Sequence, residues 1–235
     1  MGEWLDFLFP RDCAVTGAAM DITELGHLSA QGARALPLIR DPRCTRCGHP
    51  FQGWMRSGRT CPHCSGLAIG FGRAVCAFRA KDVARDLLHR AKYRGEPQLF
   101  DDLCRAALAD DLFRRHLEGA ILVPASLHPA RRRERGFDQS VRLARSLAAG
   151  VAGCTMAELL IRRRPTRQQA RLGREERQEN LDDAFAVAPG VKIARQARLV
   201  VVDDVLTTGA TLAAAAATLL AAGAARVDAA ALAHG

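Results

Sequence analysis

The sequence predicts an α/β fold: a mostly parallel sheet flanked by helices, behind a small cysteine-rich head. Three observations carry that reading. From residue 73 onward, short apolar runs alternate with longer segments of helical spacing, the pattern of parallel strands joined by crossover helices. One of those runs, Leu199 to Val202, is uninterrupted and valine-rich, as a strand buried on both faces should be. Ahead of residue 73, four cysteines stand in two closely spaced pairs, which a folded core of this size does not need as staples.

The head comes first. Cys44, Cys47, Cys61 and Cys64 form C-x2-C-x13-C-x2-C. Each C-x-x-C turn lets two thiolates face one ion, and two turns complete a tetrahedral Zn²⁺ site with no open position for catalysis. Gly48 and Gly66 follow the pairs and permit tight turns. With four thiolates available, His49 and His63 are expected to be surface residues. The N-terminal MGEWLDFLFP lacks a basic region and a cleavage site, so it does not read as a secretory signal. No stretch is long and apolar enough to span a bilayer. A cytoplasmic chain is therefore expected, with its eight cysteines reduced. Cys13, Cys76, Cys104 and Cys154 read as small buried residues.

The body follows in order. A strand at 73–78 leads into a helix at 81–92, which Gly95 and Pro97 end. One amphipathic helix is expected over 99–117, then a strand at 120–124 and a basic loop, SLHPARRRERGFDQS. A helix at 139–149 and a strand at 157–161 precede a charged segment with seven arginines between Arg162 and Arg177. A short strand at 185–188, the valine strand and a final strand at 226–232 complete the sheet. The formal net charge of +9 invites an anionic partner without choosing one. Arginine suits pyrophosphate because its planar fork donates two hydrogen bonds to one phosphate.

Residues 200–211, VVVDDVLTTGAT, are the most informative stretch. Asp203 and Asp204 are expected where the strand leaves the sheet, and Thr207, Thr208, Gly209 and Thr211 at the start of an Ala-rich helix. Backbone N–H groups at a helix N-terminus lack intrahelical acceptors and carry the positive end of the dipole, so they suit a phosphate. The carboxylates suit sugar hydroxyls or, through water, Mg²⁺. Together these features point to a phosphorylated sugar. The stretch resembles the 5-phosphoribosyl-1-pyrophosphate (PRPP) motif of type I phosphoribosyltransferases. That resemblance gives Asp203 and Asp204 the catalytic, ribose-orienting role. It gives Thr207, Thr208, Gly209, Ala210 and Thr211 the 5-phosphate.

The whole chain resembles the ComF family, competence-associated proteins with a zinc-ribbon head and a type I phosphoribosyltransferase-like domain. The matching elements are the Cys44–Cys64 ribbon, AKYRG at 91–95, VPASLHPARRRERGFDQS at 123–140, RRRPTRQQARLGREERQEN at 162–180 and the PRPP motif. The resemblance implies a zinc ribbon over 1–72 and a phosphoribosyltransferase-like domain over 73–235. It sets His128, Arg133 and Arg135 toward the pyrophosphate, and Arg167, Arg171 and Arg177 in a loop that closes over the site. It also implies Mg²⁺ with PRPP, and single-stranded DNA and competence-machinery proteins as partners.

Three departures from the family pattern matter. Cys13 remains where many members build a first zinc site, but Thr16, Ser29 and Gly32 replace cysteines, so one structural zinc is expected. VPVP and GFNQ become VPAS and GFDQ, and Asp138 adds a charge that opposes pyrophosphate unless it faces Mg²⁺. Thr207 stands where purine-salvage enzymes carry an aspartate, which removes the group that would exchange a proton with a purine nitrogen. The acceptor stays open. So does the choice between a transferase and a non-catalytic DNA-uptake factor that uses PRPP as a regulatory ligand. One Tyr and two Trp leave few stacking platforms for single strands.

Overall fold

A computed structural model of the chain describes residues 11–21, 26–51, 61–64, 70–163 and 184–235. The five strands β1 (Ala74–Arg79), β2 (Ile121–Pro124), β3 (Thr155–Met156), β6 (Leu199–Leu206) and β7 (Val227–His234) form one sheet in the order β1-β7-β6-β2-β3. Every pairing in it is parallel, as crossover helices require. Two further strands, β4 (Leu160–Arg162) and β5 (Phe185–Val187), pair antiparallel outside that sheet.

Alternation along the strands sends side chains into two cores. Val75, Ala77, Val200, Val202, Ala230 and Leu232 face one side. There they meet α2 (Asp82–Tyr93), α3 (Leu99–Leu108), α4 (Asp111–Leu117) and α6 (Gln139–Ala149). Ala74, Cys76, Val201, Ala229 and Ala231 face the other side and meet α7 (Ala210–Ala221) through Leu212, Ala215, Ala216 and Leu219. The alanines of β7 and α7 let helix and sheet approach closely. Gly70 belongs to the same contact, because a Cβ there would stand 2.7 Å from the Ala213 carbonyl oxygen.

Several expected elements differ in detail. The single helix over 99–117 is two helices, because Asp110 turns its carboxylate onto the Leu112 amide and starts α4 afresh. The basic loop contains α5 (Pro129–Arg135), with proline in its first turn and Gly136 in the left-handed region ending it. The strand expected at 157–161 falls between two short ones: β3, at the sheet edge, ends at Met156, and β4, outside the sheet, begins at Leu160. Asp203 and Asp204 lie within β6, which runs on to Leu206. Cys154 is only half-buried, whereas Cys13, Cys76 and Cys104 are buried.

The head lies along β1, the edge strand. Leu38 bridges Phe78 antiparallel, the Ile39 amide donates to the Ala77 carbonyl at 2.8 Å, and the Ala74 amide donates to the Arg46 carbonyl at 2.7 Å. An edge that would otherwise present unpaired backbone groups is thereby covered. A short helix, α1 (Ala30–Arg34), sits in the first half of the head. No helix among the described residues is long and apolar enough to cross a membrane.

Candidate ligand site and metal centre

The four ribbon cysteines converge. Cys44 Sγ lies 3.9 Å from Cys64 Sγ, and Cys47 Sγ 3.7 Å from Cys61 Sγ. Zn–S bonds of about 2.3 Å in tetrahedral array place sulfurs roughly 3.8 Å apart, so the donor set fits Zn²⁺. The Cys44–Cys47 turn is built by Gly48, whose φ of +75° a side chain would strain. The Arg46 amide points at Cys44 Sγ at 3.4 Å, the stabilising contact a thiolate ligand takes. Gly66 lies outside the described residues.

The first half of the head has collapsed around its surviving thiol. Ser29 Oγ lies 3.2 Å from Cys13 Sγ, and a Cβ on Gly32 would fall 2.6 Å from that sulfur. The space a ligand side chain would take at 32 is therefore filled by Cys13 itself. Burial pushes the Cys13 thiol up, but hydrogen bonds from the Ser29 and Thr16 side chains and backbones overcome this and lower its pKa to about 6. The thiolate is served by hydroxyls and amides.

His49 and His63 are not surface residues as the sequence suggested. Their rings stack 4.9 Å apart at 13°, and both stand edge-on to His234, at 5.0 and 4.5 Å. Burial keeps all three imidazoles below their ordinary pKa, His234 at about 4, with neighbouring imidazoles adding to the effect at His63 and His234. This cluster joins the head to the end of the sheet.

The second site forms at the C-terminal end of β6, where open parallel sheets bind ligands. A cavity of about 220 Å³ is lined by Lys92, Asp203, Asp204 and the whole of Thr207 to Leu212. Gly209 caps α7 at φ +73°, turning the chain so that the amides at the helix start face the cavity. The Asp203 carboxylate accepts from Ser140 Oγ at 3.1 Å and from the Asp204 amide at 2.9 Å. Burial, then the neighbouring Asp204 charge, raises the Asp203 pKa to about 7. Asp204 is 5% exposed and is in contact with Lys92 Nζ.

Sequence reasoning missed Lys92 and Ser140 as partners of the acids. AKYRG was recognisable as a family element, but its contact spans more than a hundred residues and no local pattern reveals it. A second cavity, of about 210 Å³, shares Lys92 and is lined by Tyr93, Gly95, Arg131, Arg135 and Phe137 among others. Arg135 stacks 5.0 Å over the Tyr93 ring and donates to Gln139 Oε1 at 2.6 Å. His128 instead caps α5, its Nδ1 accepting from the Ala130 amide at 3.3 Å. Arg133 is exposed, and neither it nor His128 lines these two cavities. Arg167, Arg171 and Arg177 lie outside the described residues.

Asp138 does not aim its charge at an anion. It caps α6, taking the Ser140 and Val141 amides at 3.0 and 3.3 Å and the Leu127 amide at 2.7 Å. An Asp138→Ala change strands three backbone donors. It should cost about 2–3 kcal/mol in urea unfolding, while Asp138→Asn, whose one oxygen keeps the Ser140 and Val141 amides but whose NH2 cannot accept from Leu127, should cost less, about 1–2 kcal/mol. Equal losses for the two would show that capping is not what Asp138 contributes.

Comparison with known proteins agrees with this geometry. Residues 137–235 match the phosphoribosyl transferase domain, and residues 4–65 the double zinc ribbon domain. DNA utilization protein YhgH of Escherichia coli K12 is 31% identical over 174 residues, covering 72% of this chain and 74% of that protein. The chain belongs to the ComF family. Competence protein F of Haemophilus influenzae is 27% identical over 176 residues, covering 73% of the chain and 75% of its own length. The Salmonella typhi YhgH reaches 33% over 174 residues. Within this ComF protein the ribbon's second half brings four cysteines together, whereas Cys13 of the first half is met by Ser29.

Proposed function

We propose that this ComF protein binds PRPP together with Mg²⁺ and acts in the uptake or utilisation of DNA. One observation carries the ligand: two carboxylates and a helix N-terminus rich in hydroxyls line a single cavity at the end of the central strand. The 5-phosphate takes the amides and hydroxyls of Thr207 to Thr211, and the ribose hydroxyls take Asp203 and Asp204. The oxygen donors fit a hard cation, which supplies charge neutralisation to the pyrophosphate when bound. Asp203 and Asp204 would hold such an ion, directly or through water; Ser140 and the Asp204 amide share one oxygen of Asp203, and Lys92 takes one oxygen of Asp204. Arg135, beside the second cavity, faces the pyrophosphate end. The DNA link rests on the names of the relatives.

Isothermal titration of PRPP with Mg²⁺ into the full chain tests the ligand. Saturable binding is expected, weakened at least about tenfold by Asp203→Ala with Asp204→Ala, as loss of about 1.4 kcal/mol or more implies. No heat with the native chain, or undiminished binding by the double variant, overturns the reading. Thr207 argues against purine salvage and leaves the acceptor open, so the alternative is a non-catalytic role in which PRPP is a regulatory ligand. Pyrophosphate release with a panel of acceptors separates the two: release that depends on an acceptor marks a transferase.

A further inference from the structure

We propose a second metal site in the cluster of His63, His234 and Cys47, between the ribbon and the end of the sheet. Three facts converge there. One nitrogen on each of three imidazoles, His49 Nδ1, His63 Nδ1 and His234 Nε2, is buried without a hydrogen-bond partner. Stranded polar atoms in an interior are costly, and a metal ion satisfies imidazole lone pairs directly. Second, ligand atoms of Cys47, His63 and His234 all lie within 4.8 Å of one another. Bonds of about 2.0–2.3 Å to Zn²⁺ bring such atoms somewhat closer than that, a change small rotations of the rings supply. Third, the opposite nitrogen of His234 is already held: Nδ1 lies 3.0 Å from the Gly235 carbonyl oxygen. A ring that donates one N–H to a carbonyl presents its other nitrogen as the lone pair, the usual state of a metal-bound histidine.

The ion is of the zinc type, borderline-soft and content with imidazole and thiolate. Cys47 Sγ serves as a sulfur shared with the ribbon's zinc, and His49, stacked on His63, offers a further nitrogen. Stacking of aromatic rings alone explains their proximity but not three inward nitrogens without partners. The position also matters for the ligand cavity. His234 pairs in register with Leu206 on β6, one residue before Thr207, so the ion ties the head to the start of the phosphate turn.

Metal content decides it, independently of any PRPP result. The full chain, equilibrated with Zn²⁺, freed of excess by gel filtration and measured by mass spectrometry, should carry about two ions. His234→Phe keeps a ring in place without a donor and should reduce this to about one, leaving the ribbon's ion. Cys13→Ser should leave about two, because the collapsed first half of the head is not the second site. In addition, Co²⁺ added to the chain carrying a single equivalent of Zn²⁺, held by the four-cysteine ribbon, should give the visible absorption of a tetrahedral site with nitrogen ligands, lost in His234→Phe. A native chain that stops at about one ion overturns the proposal whatever the variants do. So does a second ion lost in Cys13→Ser but kept in His234→Phe.

Discussion

Replacing Cys44 by serine should release the ribbon's zinc and unfold the second half of the head while leaving the sheet folded. Among the described residues, the hydrophobic cluster there consists of the four cysteines, with Phe51 partly buried against them. A cluster that small cannot repay the entropy of ordering the chain. The metal does so instead, since structural zinc sites of this kind contribute about 10–16 kcal/mol of apparent binding energy near neutral pH. A hydroxyl is a far weaker ligand than a thiolate, so one substitution removes most of that energy. The two cores of the body take in Leu28, Leu36 and Ile39 of the head but none of the four cysteines, so they do not depend on the metal. The consequence reaches the body at two places, the packing of His49 and His63 on His234 and the strand β1, whose outer edge is covered by residues 37–46. Uncovered, that edge is a template for pairing with another chain. Zinc content should therefore fall, limited proteolysis should cut first within the head, and the cleaved or chelated protein should aggregate faster. Retained zinc with an uncut head in Cys44→Ser would show that the ribbon does not depend on a complete thiolate set.

Much of this architecture was legible because its signals are local. The valines of 200–202 required a strand buried on both faces, and the sheet centre provides it. Two C-x2-C turns required a shared ion, and the four sulfurs converge. The errors are of another kind. Asp110 and Asp138 were visible as acids, but whether an aspartate caps a helix or faces a ligand depends on which amides the fold brings to it. Residues 129–135 carry charges on every side and no apolar stripe, so a helix held by its proline start and glycine end has no periodic signature. The strand at 157–161 was divided by its partners: the Ala157 amide still donates to Leu122, while Leu160 pairs with Val187. His49, His63 and His234 meet only through tertiary packing, across more than a hundred and fifty residues.

The acid pair and Lys92 give the second large expectation, that Lys92→Met destabilises the protein strongly near pH 8 and much less near pH 5. Asp204 is buried, and Lys92 is the cation in contact with it. Burial alone would lower the Lys92 pKa, but the Asp204 and Asp203 carboxylates overcome this and hold it above its ordinary value. A lysine with a raised folded pKa contributes stability that is fully present below its unfolded pKa of about 10.4, so the pair acts across the neutral range. Breaking a buried pair by removing one partner typically costs about 3–5 kcal/mol, because the other charge is left without compensation. Asp203 works in the opposite sense. Its folded pKa of about 7 stands above the unfolded value of about 3.9, so the native state holds the extra proton between them. Its contribution to stability therefore declines as pH rises through that window. In Lys92→Met the Asp203 carboxylate must ionise without the ammonium, and below its folded pKa of about 7 a proton takes the place of that charge. Urea midpoints at the two pH values measure the difference. A loss of the same size at both would show that Lys92 contributes packing rather than charge. The same balance bears on ligand binding: a carboxylate protonated near neutrality is a poorer acceptor for ribose hydroxyls, so PRPP affinity should strengthen from pH 6 to pH 8. In Lys92→Met that rise should move to higher pH, because the Asp203 carboxylate loses the nearby cation that favours its ionised form.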